Sequence, residues 1–390
     1  MSPPPKPTSP KATTSPGKVS SPGSTGKKSP TPAASSPPSQ DPSADPSTAN
    51  ILPAQHWTDQ PLPGADDHDD DNDSSLGDDA TSSTASLTSS IMAYRTVHGR
   101  TYHSDRVTDA QYWTPNDESH IEASDIIHHC ITLCHDGALF KAPLSDDMEN
   151  AIDVGCGTGI WAIDFADRFP NCQVIGTDIS PIQPSWVPTN LKFEMDDATL
   201  PWTFPENHFD YIHMRYLFGS IPDWNSLLEN AYKSCKPGGY VESYEPSCVF
   251  RSDDGTLLEG SPLDEWGKVF VAAGKKFGRP FDIVGDGVTV QDAFRNAGFE
   301  EITEWEFKCP IGAWPQDKKL KEIGAYALAG ISQDIEGWIL FVWSQVMGWS
   351  KEEVTVFVAH LRRQLRDTNT KVHVYTLMRS VYGRKPLTVT

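Results

Sequence analysis

The stretch Ala151–Asp164, AIDVGCGTGIWAID, constrains the fold more than any other part of the chain. Ala151-Ile152-Asp153-Val154 is a short apolar run that reads as a buried strand. The chain then turns through Gly155, Gly157 and Gly159 and continues from Ile160 to Phe169 with an amphipathic helical pattern. Glycines in such a strand–turn–helix unit allow positive φ and let the backbone approach a ligand closely. The first turn of the helix offers unpaired N–H groups to the same ligand. Tight strand–helix turns favour glycine for purely structural reasons too, so the turn alone does not define a site.

Further segments follow in a fixed order. Val174 to Ile179 is a second apolar run with Asp178 at its end. An acidic residue about 20 positions beyond the glycines, at the tip of the second strand, is placed to bind ribose hydroxyls. Leu191 to Met195 runs into Asp196-Asp197-Ala198, an acidic pair where an adenine edge would lie. Phe209 to His213 reads as a fourth strand, and Lys236-Pro237-Gly238-Gly239-Tyr240-Val241 as a turn into a fifth. With Cys156 and Thr158 between the glycines, the third glycine falls one residue too early for the NAD(P) fingerprint G-x-G-x-x-G.

The 390 residues carry a formal charge of −21. Residues 1–90 hold 5 Lys and 11 Asp, and the remainder 27 Lys+Arg against 42 Asp+Glu, so the folded part is itself acidic. That argues against direct nucleic-acid binding, which needs a basic face. Seven irregularly spaced cysteines suit reduced thiols. No apolar run reaches the roughly 18–20 residues of a membrane span, and Met1 to Pro5 does not open a signal peptide. An intracellular protein, cytoplasmic or nuclear, without membrane insertion is expected.

Residues 1–90, rich in Pro, Ser and Thr and then acidic, have too few large apolar groups to offset the entropy of ordering and are expected to be a disordered tail. Its Ser-Pro and Thr-Pro pairs, such as Ser9, Ser15 and Thr31, read equally as phosphorylation sites or as linker composition. Residues 91–150 are expected to form an N-terminal helical cap, with a helix from about Glu118 to Cys134 capped by Asn116 or Asp117. Residues 151–390 form the main domain. Within it, about 316–366 is dense in aromatic and aliphatic residues at helical spacing and is expected to supply a lid, and Val372 to Tyr382 is expected to be a strand.

The order D-x-G-x-G-x-G, T-D-I, D-D-A, K-P-G-G resembles the class I S-adenosylmethionine (SAM) dependent methyltransferases. Segments outside it resemble a fungal branch of that class, the TAM-domain or LaeA-like group. These are Gly99-Arg100-Thr101-Tyr102-His103, Pro115 to Glu118, His128-His129, Asp136 to Pro143, Gly219 to Trp224, Arg251 to Leu257, Gly278 to Phe281, Pro310 to Pro315 and Val381 to Pro386. The likeness covers about residues 91 to 387. It departs at Ala123-Ser124-Asp125, where the group commonly has R-L-D. The resemblance implies an α/β, Rossmann-like fold: a seven-stranded, mostly parallel sheet whose last strand is antiparallel, with a helical cap and lid.

It also implies roles. Gly155, Cys156, Gly157, Thr158 and Gly159 form the turn beneath SAM, with Asp153 supporting the amino-acid portion. Asp178, followed by Ile179, accepts the ribose hydroxyls. Asp197 or Asp196, with Ala198, meets the adenine. Met214 flanks the methionine moiety, and Tyr102 and Tyr112 close over the cofactor. Methyl transfer from a sulfonium mainly requires alignment and exclusion of water, so neither a triad nor a metal is expected. His213, at the tip of the fourth strand, is the candidate base, or else a packed histidine. Glu242 and Glu245 either face the cleft or cap structure. His128, His129, Cys130, Cys134 and His135 point in several directions from one helix, with no Cys-x-x-Cys to join them, so no metal is expected. The implied function is methyl transfer to a small-molecule or protein acceptor in fungal secondary metabolism. The alternatives are a LaeA-like regulator in a nuclear complex with velvet-type partners, or a non-catalytic SAM-binding scaffold.

Overall fold

In a computed structural model, the described residues are 48, 50–62, 93–104, 112–285 and 289–387. Seven strands form the central sheet: β3 (Asn150–Val154), β4 (Gln173–Asp178), β5 (Leu191–Met195), β6 (Phe209–Arg215), β7 (Cys235–Pro246), β8 (Glu300–Ile311) and β9 (Val374–Arg384). Their order is β5-β4-β3-β6-β7-β9-β8. Strands β3 to β7 run parallel, and β9 lies antiparallel between β7 and β8. This is the expected sheet. From β3 the chain first builds outward to β5, then returns to the other side of β3 with β6. The crevice of a doubly wound sheet opens at such a reversal, beyond the carboxyl ends of the two strands. Here those ends are Val154 and Arg215.

The local sequence explains the elements. Ala151 to Val154 are all buried, because helices cover both faces of a parallel strand. Helix α3 (Ile160–Arg168) begins at Gly159, whose φ is +79°, and buries Trp161, Ala162, Phe165 and Ala166 on one stripe. Between β6 and β7 lies α4 (Trp224–Ser234). Helices α5 (Pro262–Phe277) and α6 (Thr289–Ala297) precede β8.

Ahead of the sheet lie a two-stranded hairpin, β1 (Arg95–Val97) with β2 (Arg100–Tyr102), and α2 (Glu118–Cys134). The hairpin is absent from the sequence reading of a purely helical cap; two three-residue strands are too short to show period-2 patterning. The Asp117 side chain caps α2 by accepting from the His120 N–H. Ala123, Ile127, Cys130 and Cys134 form one buried stripe of α2, which crosses α7 (Lys318–Gln333). The crossing is close: a Cβ at Gly330 would lie 2.6 Å from Cδ1 of Ile127. Helix α7, α8 (Ile335–Phe341), a short π-turn at Val342–Val346 and α9 (Lys351–Asp367) form the insertion between β8 and β9. Arg100 ties these parts together, bonding Asp117 (2.5 Å) and Asp334 (2.8 Å), the N-caps of α2 and α8.

One expectation needs correction. Inside the stretch read as disordered, residues 50–62 are ordered, with a short helix α1 (Ala54–Thr58). Trp57 is 2% exposed and packs on Phe357 and His360 of α9, and the Leu52 N–H donates to Glu265 (2.9 Å). The physical reason is local: Ile51, Leu52 and Trp57 supply apolar surface that the surrounding Pro/Ser/Thr sequence lacks. The remainder of the expected tail, with its Ser-Pro and Thr-Pro pairs, lies outside the described residues. No helix among the described residues is long and apolar enough to cross a membrane. All seven cysteines are free thiols.

The docking of α1 predicts that Trp57→Ala lowers the unfolding free energy by about 3 kcal/mol, the low end for a buried aromatic because so short a helix can detach alone. Leu62→Ala, at a site 64% exposed, should change it by less than about 0.5 kcal/mol. Urea unfolding of the full chain measures both.

Candidate active site

The glycine turn and the tip of β4 are locked together by one carboxylate. Asp178 accepts from the Gly157 N–H (2.9 Å) through one oxygen and from the Ser180 N–H (2.9 Å) through the other. Burial pushes the Asp178 carboxyl up to about 6, although both backbone bonds pull the other way. Gly155, Gly157 and Gly159 all have positive φ. At Gly157 a Cβ would meet nothing within 4 Å, so the backbone there faces open space. Next to it, the Thr158 hydroxyl donates to Asp125 (2.9 Å), within the Ala-Ser-Asp segment that departs from the family pattern.

Two lobes of one cleft meet at Tyr112, Gly157 and Asp178. Ile179, Asp196, Asp197 and Ala198 line the first, with Arg279 and Leu217 opposite. Asp197 spends one oxygen on Thr199, accepting from its N–H (2.9 Å) and hydroxyl (2.7 Å), while Asp196 receives the Asp197 N–H (2.9 Å). Cys156, Thr158, His128, Arg215 and Tyr216 line the second lobe. Arg215 donates to Nδ1 of His128 (3.1 Å). Nδ1 is therefore an acceptor, and the proton of the neutral ring sits on Nε2, which donates to Asp164 (3.0 Å). Burial first, and then Arg215, hold the His128 imidazole down to about 3, consistent with a neutral ring.

Behind the second lobe is an apolar chamber. Trp113, Tyr216, Phe218 and Trp338 belong to both spaces. Phe250, Trp266, Phe270 and Met378 line the far side. Trp113 is fixed on the wall by its indole N–H, which donates to the Phe218 carbonyl (3.2 Å). Tyr216 sits at φ +59°, a conformation costly for a non-glycine residue and concentrated at functional sites.

Of the sequence candidates, Gly155, Cys156, Gly157, Thr158, Asp178, Ile179, Asp196, Asp197, Ala198 and Tyr112 meet in the two lobes. Others line neither. Met214 and Tyr102 are fully buried in the core, Tyr102 against Phe341. Gly159 serves as the N-cap of α3. His213 is 2% exposed, bonded through Nδ1 to Asp153 (2.8 Å) and stacked on Trp161 at 3.6 Å. Instead of standing at the cleft as a base, it takes the packed role, and Asp153 is its partner. Glu242 is structural as well, accepting from the N–H groups of Lys141 and Ala142 and the hydroxyls of Tyr211 and Ser380. Glu245 accepts from the Leu217 and Phe218 N–H groups (3.1 Å each) and shapes the turn after β6. Arg215, Tyr216 and Arg279 were not singled out by motif. Arg215 could have been found as the polar residue ending an otherwise buried strand.

A family profile described as a methyltransferase domain matches residues 126–304. The chain is 37% identical over 287 residues to the methyltransferase pytC of Aspergillus terreus, covering 73% of this chain and 87% of that one. It is 31% identical over 296 residues to the secondary metabolism regulator laeA of Aspergillus fumigatus. The protein-methionine methyltransferase laeA of Emericella nidulans is also 31% identical over 296 residues. In both of those comparisons the match covers 74% of this chain and 76% of the relative. The chain therefore belongs to the class I SAM-dependent methyltransferases, in the LaeA-like family, and SAM is its cofactor.

Burial pushes Glu245 up to about 8. A folded-state value above the unfolded one means that the folded chain holds the proton longer. The stability this confers is complete below the unfolded value near 4.5 and is lost as pH rises toward 8. Unfolding free energy should therefore decline across that window and level off above it. Glu245→Gln should remove that part of the slope in denaturation curves taken from pH 5 to 9.

Proposed function

We propose that the chain transfers the SAM methyl group to an apolar acceptor held in the chamber behind Tyr216. The observation that carries this reading is the adjacency of the three spaces: an acidic lobe and a lobe lined by Arg215 meet at Asp178, and the second shares Trp113, Tyr216, Phe218 and Trp338 with an apolar chamber. The donor set fits SAM. Asp178 is a carboxylate between the lobes, able to accept from both ribose hydroxyls. Asp196 and Asp197, beside Ile179 and Ala198, can accept from the adenine amine. The open backbone at Gly157 leaves room for the chain of the amino acid, and Arg215, with no carboxylate bonded to it among the described residues, suits the methionine carboxylate. When bound, SAM supplies an electrophilic methyl on a sulfonium. The chain's residues then position and desolvate: Tyr112 roofs both lobes, Tyr216 and Trp113 separate cofactor from chamber, and the aromatic walls exclude water.

Apolar walls favour a hydrophobic small molecule as the acceptor. A second reading is supported by the relative described as a protein-methionine methyltransferase. A thioether side chain is soft and apolar and suits aromatic walls. On that reading the chain acts as a nuclear regulator with velvet-type partner proteins; on the first it can act in the cytoplasm. A third reading, a SAM-binding scaffold without turnover, stands or falls with transfer itself.

Two measurements test these readings. In calorimetry the full chain should bind SAM and S-adenosylhomocysteine, and Asp178→Ala should weaken SAM at least about 10-fold, roughly 1.4 kcal/mol. Binding needs the ionised carboxylate, so affinity should be flat above pH 6 and fall as pH drops through the Asp178 value of about 6. Equal binding by Asp178→Ala would refute the ribose assignment. Methyl-labelled SAM incubated with the chain and a cell extract should label the solvent-extractable fraction. Label confined to protein would favour the second reading, and no transfer at all the third.

A further inference from the structure

Three thiols that are distant in sequence meet in the core. Cys130 and Cys134 stand one turn apart on the same face of α2, and Cys309 comes from β8, 175 residues beyond Cys134. All three are buried, at 1%, 1% and 0% exposure. The Cys309 sulfur lies 4.0 Å from that of Cys130 and 4.0 Å from that of Cys134, and all three sulfurs lie within 4.8 Å of one another. Cys130 and Cys309 also line the apolar chamber.

We propose that Cys130, Cys134 and Cys309 form a binding site for a thiophilic divalent cation, zinc, in the wall of that chamber. This goes beyond the methyltransferase reading and does not depend on it. The spacing is the main argument. Thiolates bound at about 2.3 Å stand about 3.8 Å apart around a tetrahedral ion and about 4.0 Å apart in a trigonal plane. Two of the three separations already match, and the helical pair needs only side-chain rotation to close the third. Donor type is the second argument: three soft sulfurs with no carboxylate among them select zinc and its soft relatives over calcium or magnesium. Charge is the third. Three thiolates around a divalent ion leave one net negative charge. Lys319 and Lys141 act electrostatically on Cys134 with the sign that offsets it, whereas bonds within the trio and then burial hold the Cys130 and Cys309 thiols protonated in the metal-free chain. Three protons leave to solvent on binding, one from each thiol, so uptake should strengthen as pH rises.

The test uses the full chain, reduced and stripped with a chelator. Zinc is titrated in competition with a chromophoric chelator, and cobalt(II) replaces zinc as a spectroscopic probe. One equivalent of zinc per chain is expected, with a thiolate-to-cobalt charge-transfer band of the intensity of three sulfurs. Cys309→Ser should weaken zinc at least about 100-fold. Cys248→Ser, which alters another chamber thiol outside the trio, should leave it unchanged. Absence of a charge-transfer band in the unmodified chain would overturn the site and leave three cysteines packed as small apolar groups; that readout stands even if Cys309→Ser does not fold. Zinc bound as tightly by Cys309→Ser as by the unmodified chain would also overturn it.

Discussion

The Asp178 carboxylate holds the site together. Its two oxygens join the Gly157 and Ser180 N–H groups, so the glycine turn after β3 and the end of β4 become one rigid rim. The Cys156 N–H, which donates to the Thr177 carbonyl (2.8 Å), and the Gln183 amide, which donates to the Gly157 carbonyl (2.7 Å), brace the same turn with its three positive φ angles. The cost is visible in the carboxyl value of about 6: a charge is kept where burial opposes it. Natural proteins retain such strain mainly where a ligand repays it. Ribose hydroxyls would do so, by donating to the same oxygens.

The second constraint is closure. An apolar chamber beside a cofactor cleft is useful only if water is kept out, and the chain does this from several distant segments. Arg100 links the hairpin to the N-caps of α2 and α8. Trp338 of α8, Trp113 of the cap and Phe218 after β6 then meet around the chamber mouth. Glu242 ties the loop before β3 to β6 and β9 through two backbone N–H groups and two hydroxyls. Buried Glu242 and Glu245 thus hold the backbone that shapes the cleft, and neither lines it.

Much of this was legible in the sequence, for stated reasons. The glycine turn, Asp178 and the Asp196-Asp197 pair are local: a few consecutive residues at strand ends carry both the fold and the chemistry. Helix α2 was legible because its apolar stripe keeps helical spacing after a capping pair, Asn116 or Asp117, of which Asp117 is the cap. What escaped depends on long-range meeting. Three cysteines on two elements could not be joined from their positions along the chain. Helix α1 is held by α9, roughly three hundred residues away, and composition around it points the other way. His213 was read as the tip of a strand ending there, but the strand runs on to Arg215 and its side chain is packed within the sheet layer. Trp161 stacks on its ring, and Asp153 pairs with Nδ1.

The most direct test of the central claim, that SAM lies across the two lobes that meet at Asp178, is amide hydrogen exchange of the full chain with and without SAM. The account predicts slowed exchange in peptides containing Gly157 and Ser180, and in those spanning Asp196 to Thr199. Peptides of the outer sheet edge, such as Glu300 to Phe307, should be unaffected. Slowing confined to other parts of the chain, with the glycine turn and the tip of β4 unchanged under saturating SAM, would contradict it.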